Sequence, residues 1–396
     1  MMKNWKILIC MLMLVLCMGI AASASTEMTE GVTIGVAVYN PDDAQTKAFR
    51  NYLEDYLGEA FDAEFIYSGA ITSWEEEKAF VDQLHELGVK GIISSQSVDR
   101  EAVMKLCEEY EMYYVFGSSS LSEDVFDTLK DNPCFLGTIG ASDESEEQAG
   151  ADMAAFFAEG DAQKVHSYLI CTGGAALGNE MHRIRGLAML EKLAEIYGFT
   201  CETPAQELIL AQEQTEVETG SVKITILPGY PYQEELEDAT KALVETGEYD
   251  TMMSVMVVNS QMEAIREAEK EKEMDIRVGA IDCFTEETYA LFNGINNDGK
   301  QELDYLVGKY GAIIAPAFVS ICNAYAGYAE DFREDGHAFR LNQNFWTATN
   351  PDEFNRQYAL SVGMYENTYD AADMMGVMKA FNPDATFDLF KEFAER

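Results

Sequence analysis

Residues 32–39 read VTIGVAVY, a short and almost unbroken apolar run rich in Val and Ile. That is the pattern of a strand covered on both faces in a parallel sheet. The period then changes: from Ala44 onward Phe49, Tyr52, Leu53, Tyr56 and Leu57 recur at helical spacing, with Lys47, Arg50, Asn51 and Glu54 on the other face, so a helix follows. The same alternation predicts strand 64–67, helix 75–87 behind the capping box of Ser73 and Glu76, strand 91–93, helix 100–110 and strand 113–116. After strand 134–139 the rhythm restarts, with helix 146–157, strand 165–171, helix 180–197, strand 222–227, helix 234–245, strand 252–258, helix 261–270, strand 277–281 and a last strand near 305–307. Residues 203–220 show no clean period and read as an irregular insertion. Strand–helix alternation at this pace predicts an α/β protein with doubly wound parallel sheets. The ten strands so read exceed one comfortable sheet of this kind, so two lobes are expected.

The first residues follow a different logic. Lys3 and Lys6, an apolar run over 7–20 and the small-residue exit Ala22-Ser23-Ala24 spell a secretory signal peptide over 1–24, cleaved after Ala24. The run is shorter than the ~18 residues that span a bilayer. Cys17 follows Leu16, where a lipidation signal wants a small residue, so a lipid anchor is disfavoured. The mature chain is therefore expected in a periplasm or secreted. Its 70 Asp and Glu against 27 Lys and Arg in the whole sequence repel phosphate backbones and anionic lipid, which excludes nucleic acid as a partner. The cysteines beyond the leader form no CxxC pair and are widely spaced; buried thiols are expected in a chain long enough to fold without staples.

In open parallel sheets, ligands gather beyond the carboxyl ends of the strands, and the residues leaving these strands are polar. Asn40 leaves the first, Ser94, Ser95 and Gln96 the third, 117–120 the fourth, Asn259 and Ser260 a strand of the second lobe, and Asp282 the next. Each can also serve as a turn former or helix cap, but together they describe a site for a hydroxyl-rich ligand. No GxSxG, HExxH or P-loop motif occurs, and the four histidines are His85, His166, His182 and His337. His85 has no helical partner and reads as structural. Gly173, Gly174 and Gly178 do not fit GxGxxG and read as a plain strand-to-helix loop. The run 296–300 (NNDGK) reads as a tight turn, because Lys300 stands where a calcium loop needs an oxygen ligand. No catalysis, cofactor or metal is expected.

Over about residues 31–336 the chain resembles type I periplasmic solute-binding proteins, the ribose- and galactose-binding kind. The likeness is carried by the strand ending in Asn40, the Ser142-Asp143 step into a helix containing Gly150, and Arg183-Ile184-Arg185-Gly186-Leu187, which is similar to that family's Arg-x-x-Gly-Phe. Asn259 after an apolar strand and Val278-Gly279-Ala280-Ile281-Asp282 add to it. The resemblance implies a lobe of 31–141 plus 310–336, a lobe of 142–309, and a hinge whose crossovers fall near 139–143, 283–284 and 309–310. It further implies a monomer that captures a small polar ligand, a carbohydrate, and delivers it to an ABC permease in the membrane. A ligand-sensing partner of a membrane receptor, and a nucleoside or amino acid as ligand, stand as alternatives. Carried over, Asn40, Asp99, Arg183, Asn259 and Asp282 contact ligand, Tyr232 stacks on it, and Lys309 lies at the last crossover; Tyr39 and Ser95 complete the set. The chain departs from the family pattern in Pro41-Asp42-Asp43, where sugar-sandwiching aromatics are usual and Tyr39 would substitute, in Lys309, near which glutamine is common, and in an extension over 337–396 that packs on the lobes.

Overall fold

The computed structural model describes residues 31–118, 120–159, 165–363 and 368–396; the leader over 1–24, with Cys17, and Ser119 lie outside them. The described strands are β1 Val32–Val38, β2 Ala63–Ala70, β3 Gly91–Ser94, β4 Tyr113–Gly117, β5 Phe135–Gly140, β6 Ser167–Gly173, β7 Thr215–Val217, β8 Lys223–Pro228, β9 Thr251–Ser254, β10 Arg277–Phe284, β11 Tyr305–Tyr310, β12 Phe339–Asn342 and β13 Trp346–Ala348. They form two sheets, ordered β12-β5-β4-β3-β1-β2 and β13-β11-β10-β9-β6-β8-β7. Every pairing in the first sheet is parallel. In the second only the edges, β13 on β11 and β7 on β8, run antiparallel. The chain accordingly divides into two units: Met1–Gly140, Ala312–Gln343 and Val362–Arg396 form one, Ala141–Gly311 and Asn344–Ser361 the other.

Local chemistry explains the elements. β1 is buried at all but one of its seven positions, as its apolar run requires. The capping box forms: Glu76 N–H donates to Ser73 Oγ at 3.3 Å and Ser73 N–H to Glu76 Oε2 at 3.0 Å, satisfying two orphan donors of helix Trp74–Glu86. Each unit has its own core, built around Leu84, Ile92, Val103 and Phe135 in the first and Phe157, Tyr168, Leu190 and Ile224 in the second. The region 203–220 is more regular than its pattern: it holds helix Ala205–Ile209 and the edge strand β7, elements too short to establish a period.

The chain passes from one unit to the other after Gly140, Gly311, Gln343 and Ser361. It stays in the second unit through Cys283 and Phe284, where the family resemblance implies a crossover; both are fully buried at the end of β10. The extension is shared between units. β12 extends the first sheet beside β5. β13 and helix Pro351–Ser361 join the second, where Trp346 stacks on Tyr310 with ring centroids 3.6 Å apart. The chain then returns to the first unit, where Tyr52 donates to the Tyr369 carbonyl at 2.8 Å and Ala371 N–H to Tyr56 Oη at 2.9 Å. Both tyrosines lie on the π-helical stretch Tyr52–Gly58, a wide turn of the kind that often marks a specific demand on a helix; here it presents tyrosines to the extension.

One half-buried acid makes the second unit sensitive to pH. Asp304 Oδ2 accepts from Val278 N–H at 2.8 Å, yet burial raises its pKa to about 6. Because the folded value exceeds the ordinary one, the native state holds this proton more tightly than the unfolded chain. The resulting stability is complete below about pH 4 and is lost as pH rises through about 6. Asp304→Asn keeps an acceptor for Val278 and removes the charge, so urea titration should show about 2–3 kcal/mol of added stability near pH 8 and almost none near pH 4.

Candidate functional site

In doubly wound sheets the crevice opens where the strand order reverses. That point lies between β1 and β3 in the first unit and between β6 and β9 in the second.

At the first of these, Tyr39 leaves β1 with 62 % of its surface exposed. Asn40 Oδ1 accepts from Asp42 N–H at 3.0 Å, and Asp43 caps the next helix by accepting from Thr46 N–H at 3.1 Å. Pro41-Asp42-Asp43 is thus a tight turn ending in a helix cap. Ser95 donates through both N–H and Oγ to the Ala37 carbonyl, at 3.0 and 3.3 Å, tying β3 to β1 at the switch point. It also lines a small cavity with Val38, Phe49 and Tyr67. Asp99 is exposed and caps helix Arg100–Glu109 through Ala102 N–H at 3.0 Å. Its loop is fastened by Glu77, only 1 % exposed, whose Oε2 accepts from Val98 and Asp99 N–H.

At the second switch point β6 ends in Gly173 and Gly174. Gly173 has φ +55°, and a Cβ there would lie 2.6 Å from His182 Nδ1 and 2.8 Å from Met256 Sδ. Gly174 N–H donates to His182 Nδ1 at 2.9 Å. The glycines therefore pack against an imidazole, a role that reading them as a plain loop misses. Burial, reinforced by Arg185 and Lys309, lowers the His182 pKa to about 3. The ring is neutral, and with Nδ1 accepting, its proton is on Nε2. Tyr230 lies beside it, ring centroids 5.8 Å apart.

Helix Glu180–Tyr197 delivers two arginines in opposite directions, because two residues turn a helix by about 200°. Arg183, the match to the family's Arg-x-x-Gly, lies toward the surface with Nε 2.9 Å from Glu180 Oε2. Arg185 points inward. Its Nε is 2.5 Å from Glu146 Oε2 and its Nη1 donates to the Val255 carbonyl, just past β9, at 2.9 Å. Both members of this ion pair are buried, and the guanidinium faces the Phe345 ring at 5.8 Å. The sequence alone does not mark Glu146, His182 and Arg185 as ligand contacts, although it carries a signal. Residues 182, 185, 189 and 193 form one buried helical stripe, as do 146, 150, 153 and 157, and a polar residue on such a stripe needs a partner.

Asp282 and Lys309 occupy adjacent strands, where Asp282 registers with Gly308 and Cys283 with Lys309. A Cβ on Gly308 would lie 1.6 Å from the Asp282 carbonyl oxygen, so only glycine lets β10 and β11 pair there. Lys309 is half-buried; burial lowers its pKa, opposed chiefly by Glu146. Tyr232 and Asn259 lie elsewhere, in an open groove of about 400 Å³ lined also by Met262, Arg266 and Glu287. Tyr232, with φ +64°, donates its N–H to Ser260 Oγ at 3.1 Å. Asn259 Nδ2 donates to the Glu287 carboxylate, while its Oδ1 is buried with no hydrogen-bond partner among the described residues. The expected ligand residues of this unit thus fall into a strand-end group, Asp282 and Lys309 near Glu146 and Arg185, and a groove group, Tyr232 and Asn259, with Arg183 on the first turn of its helix.

No protein-family model and no curated protein sequence matches the chain. Solved structures do. A periplasmic solute-binding protein of an ABC transporter from Actinobacillus succinogenes, with bound D-allose, superposes with a TM-score of 0.60 at 12 % identity, covering 82 % of this chain and 99 % of that one. A galactofuranose-binding protein gives 0.56 at 15 % identity over 84 % and 99 % of the two chains. The chain has the periplasmic-binding-protein fold. A third such protein, an ABC transporter solute-binding protein from Bacillus halodurans with bound myo-inositol, gives 0.54 at 15 % identity over 83 % and 98 %. This fold accounts for the two doubly wound sheets and for the return of the chain to its first unit after β11. Among the described residues no cluster of His, Cys, Asp and Glu could hold a metal ion, and no described helix is long and apolar enough to cross a membrane.

Proposed function

We propose that this protein is an extracytoplasmic solute-binding protein that captures a sugar and delivers it, chemically unchanged, to an ABC permease. The observation that carries this reading is the pairing of fold with switch-point chemistry. Solved proteins with this fold bind galactofuranose, D-allose and myo-inositol, and here the strand ends carry polar groups suited to hydroxyls: Tyr39, Asn40 and Ser95 at the switch point of one unit, and in the other His182 and Arg185 at the switch point, with Asp282 and Lys309 on β10 and β11 beyond it. Carboxylates and cations make charge-assisted hydrogen bonds to hydroxyls, and an exposed ring such as Tyr39 suits the apolar face of a pyranose. Arg183 on the first turn of its helix, Tyr232 and Asn259 in the groove, and Asp99 at its helix cap are further ligand contacts in this reading. Export through the leader over 1–24 and a monomeric state belong to the same reading.

A thermal-shift screen of the mature chain against pentoses, hexoses, amino acids and nucleosides tests it. A true ligand at 100 times its Kd stabilises by about 2.7 kcal/mol, enough for a clear rise in Tm. A sugar should produce that rise; a response to amino acids or nucleosides with none to any sugar would reject the reading.

A further inference from the structure

The strand-end group of the second unit is unbalanced in hydrogen-bonding character. Lys309 has no hydrogen-bond or ion-pair partner among the described residues. The other described lysines without a partner, Lys47, Lys90 and Lys270, are exposed; Lys309 alone of these is withdrawn from water. An ammonium offers three donors and no acceptor. Beside it, His182 accepts on Nδ1 from Gly174 N–H, which leaves Nε2 as a donor, and no partner for that edge occurs among the described residues. Arg185 uses Nε and Nη1 on Glu146 and Val255, so its Nη2 is a third donor. Of the two carboxylates near Lys309, Glu146 already holds Arg185. Asp282, on the strand next to Lys309, attracts the ammonium, as Glu146 does, but burial outweighs both.

Three donors without a protein partner, set at the carboxyl ends of β6, β9 and β11 in one sheet, favour an acceptor-rich partner. A neutral polyol brings a donor with every acceptor, whereas a carboxylate brings acceptors only and supplies the counter-charge that Lys309 lacks. The protein's formal charge of −43 opposes an anion at long range, but salt confines that repulsion to about 8 Å at physiological ionic strength. Inside the site the local cations decide. On the strength of the sugar-binding reading above, we infer that the ligand is an acidic sugar, a uronic or aldonic acid whose carboxylate is held by Lys309 together with His182 Nε2–H and Arg185 Nη2.

Matched pairs test this on the full mature chain by isothermal titration: D-glucuronate against D-glucose, D-galacturonate against D-galactose, D-gluconate against D-glucitol. In at least one pair the acid should bind at least about thirtyfold more tightly than its neutral partner, and Lys309→Met should remove most of that preference, the loss expected when one member of a desolvated charge pair is deleted. Lys309→Arg should retain it in part. The unliganded Tm of Lys309→Met should equal or exceed that of the parent, since an unpaired cation is being replaced by an apolar side chain, so loss of binding will not reflect misfolding. A neutral sugar that binds as tightly as its acid, or an acid preference untouched by Lys309→Met, overturns the inference and leaves the sugar-binding reading standing. Binding of amino acids or nucleosides with no response to any member of the pairs overturns both.

Discussion

Arg185→Ala should destabilise the second unit by about 3–5 kcal/mol, the cost of leaving a buried charge without its partner. Glu146 is 2 % exposed and Arg185 7 %, so neither can recover its hydration by a small movement. The substitution also orphans the Val255 carbonyl, which accepts from Nη1 at 2.9 Å. Trp346, stacked on Tyr310 in the same unit, provides a local fluorescence probe, and the urea midpoint it reports should fall steeply. The companion experiment separates the charge from the packing. Glu146→Leu combined with Arg185→Met should regain most of the loss, because exchanging both members of a buried pair for apolar residues is often neutral or better. A fall below about 1 kcal/mol for Arg185→Ala would place the pair in the range of solvated surface bridges and contradict its burial.

Phe354→Ala should cost a comparable amount, about 3–5 kcal/mol, the usual penalty for truncating a fully buried phenylalanine. Phe354 belongs to the extension, yet its ring is stacked on Phe292 with centroids 4.5 Å apart and on Phe284 at 5.0 Å, and it is 0 % exposed. Phe354→Leu should cost less than about 1.5 kcal/mol if volume, more than ring geometry, is what the site requires. Urea titration of both variants reads the difference. Near-parent stability for Phe354→Ala would mean that helix Pro351–Ser361 is an appendage and no part of the second unit's core.

The chain's hydrophobic pattern carries most of this fold and less of its site. All ten strands read from periodicity are present, because buried parallel strands must be continuous apolar runs and leave an unmistakable trace. β7, β12 and β13 escape that reading. Each is three or four residues long at a sheet edge, so half of its positions face solvent and no period accumulates. Of the proposed ligand residues, Asn40 and Ser95 are visible because they follow strong strands, and Asp282 because it closes an apolar run, although β10 continues to Phe284. Glu146 and Arg185 are not, since a pattern marks which positions are buried without saying which distant residue will neutralise a charge placed there. The Arg-x-x-Gly likeness draws attention to Arg183, while helical geometry turns Arg185, two residues on, into the sheet. Gly173 and Gly174 are similarly opaque: only the fold brings Met256 and His182 against them.

That this chain binds a sugar and returns it unaltered is tested by calorimetric titration of the mature protein with the best ligand of the screen, followed by chromatography of the recovered solute. Saturable binding at one site per chain is expected, with a recovered solute identical to the one added. A converted product, or saturable binding of another solute class with none for any neutral or acidic sugar, would contradict it.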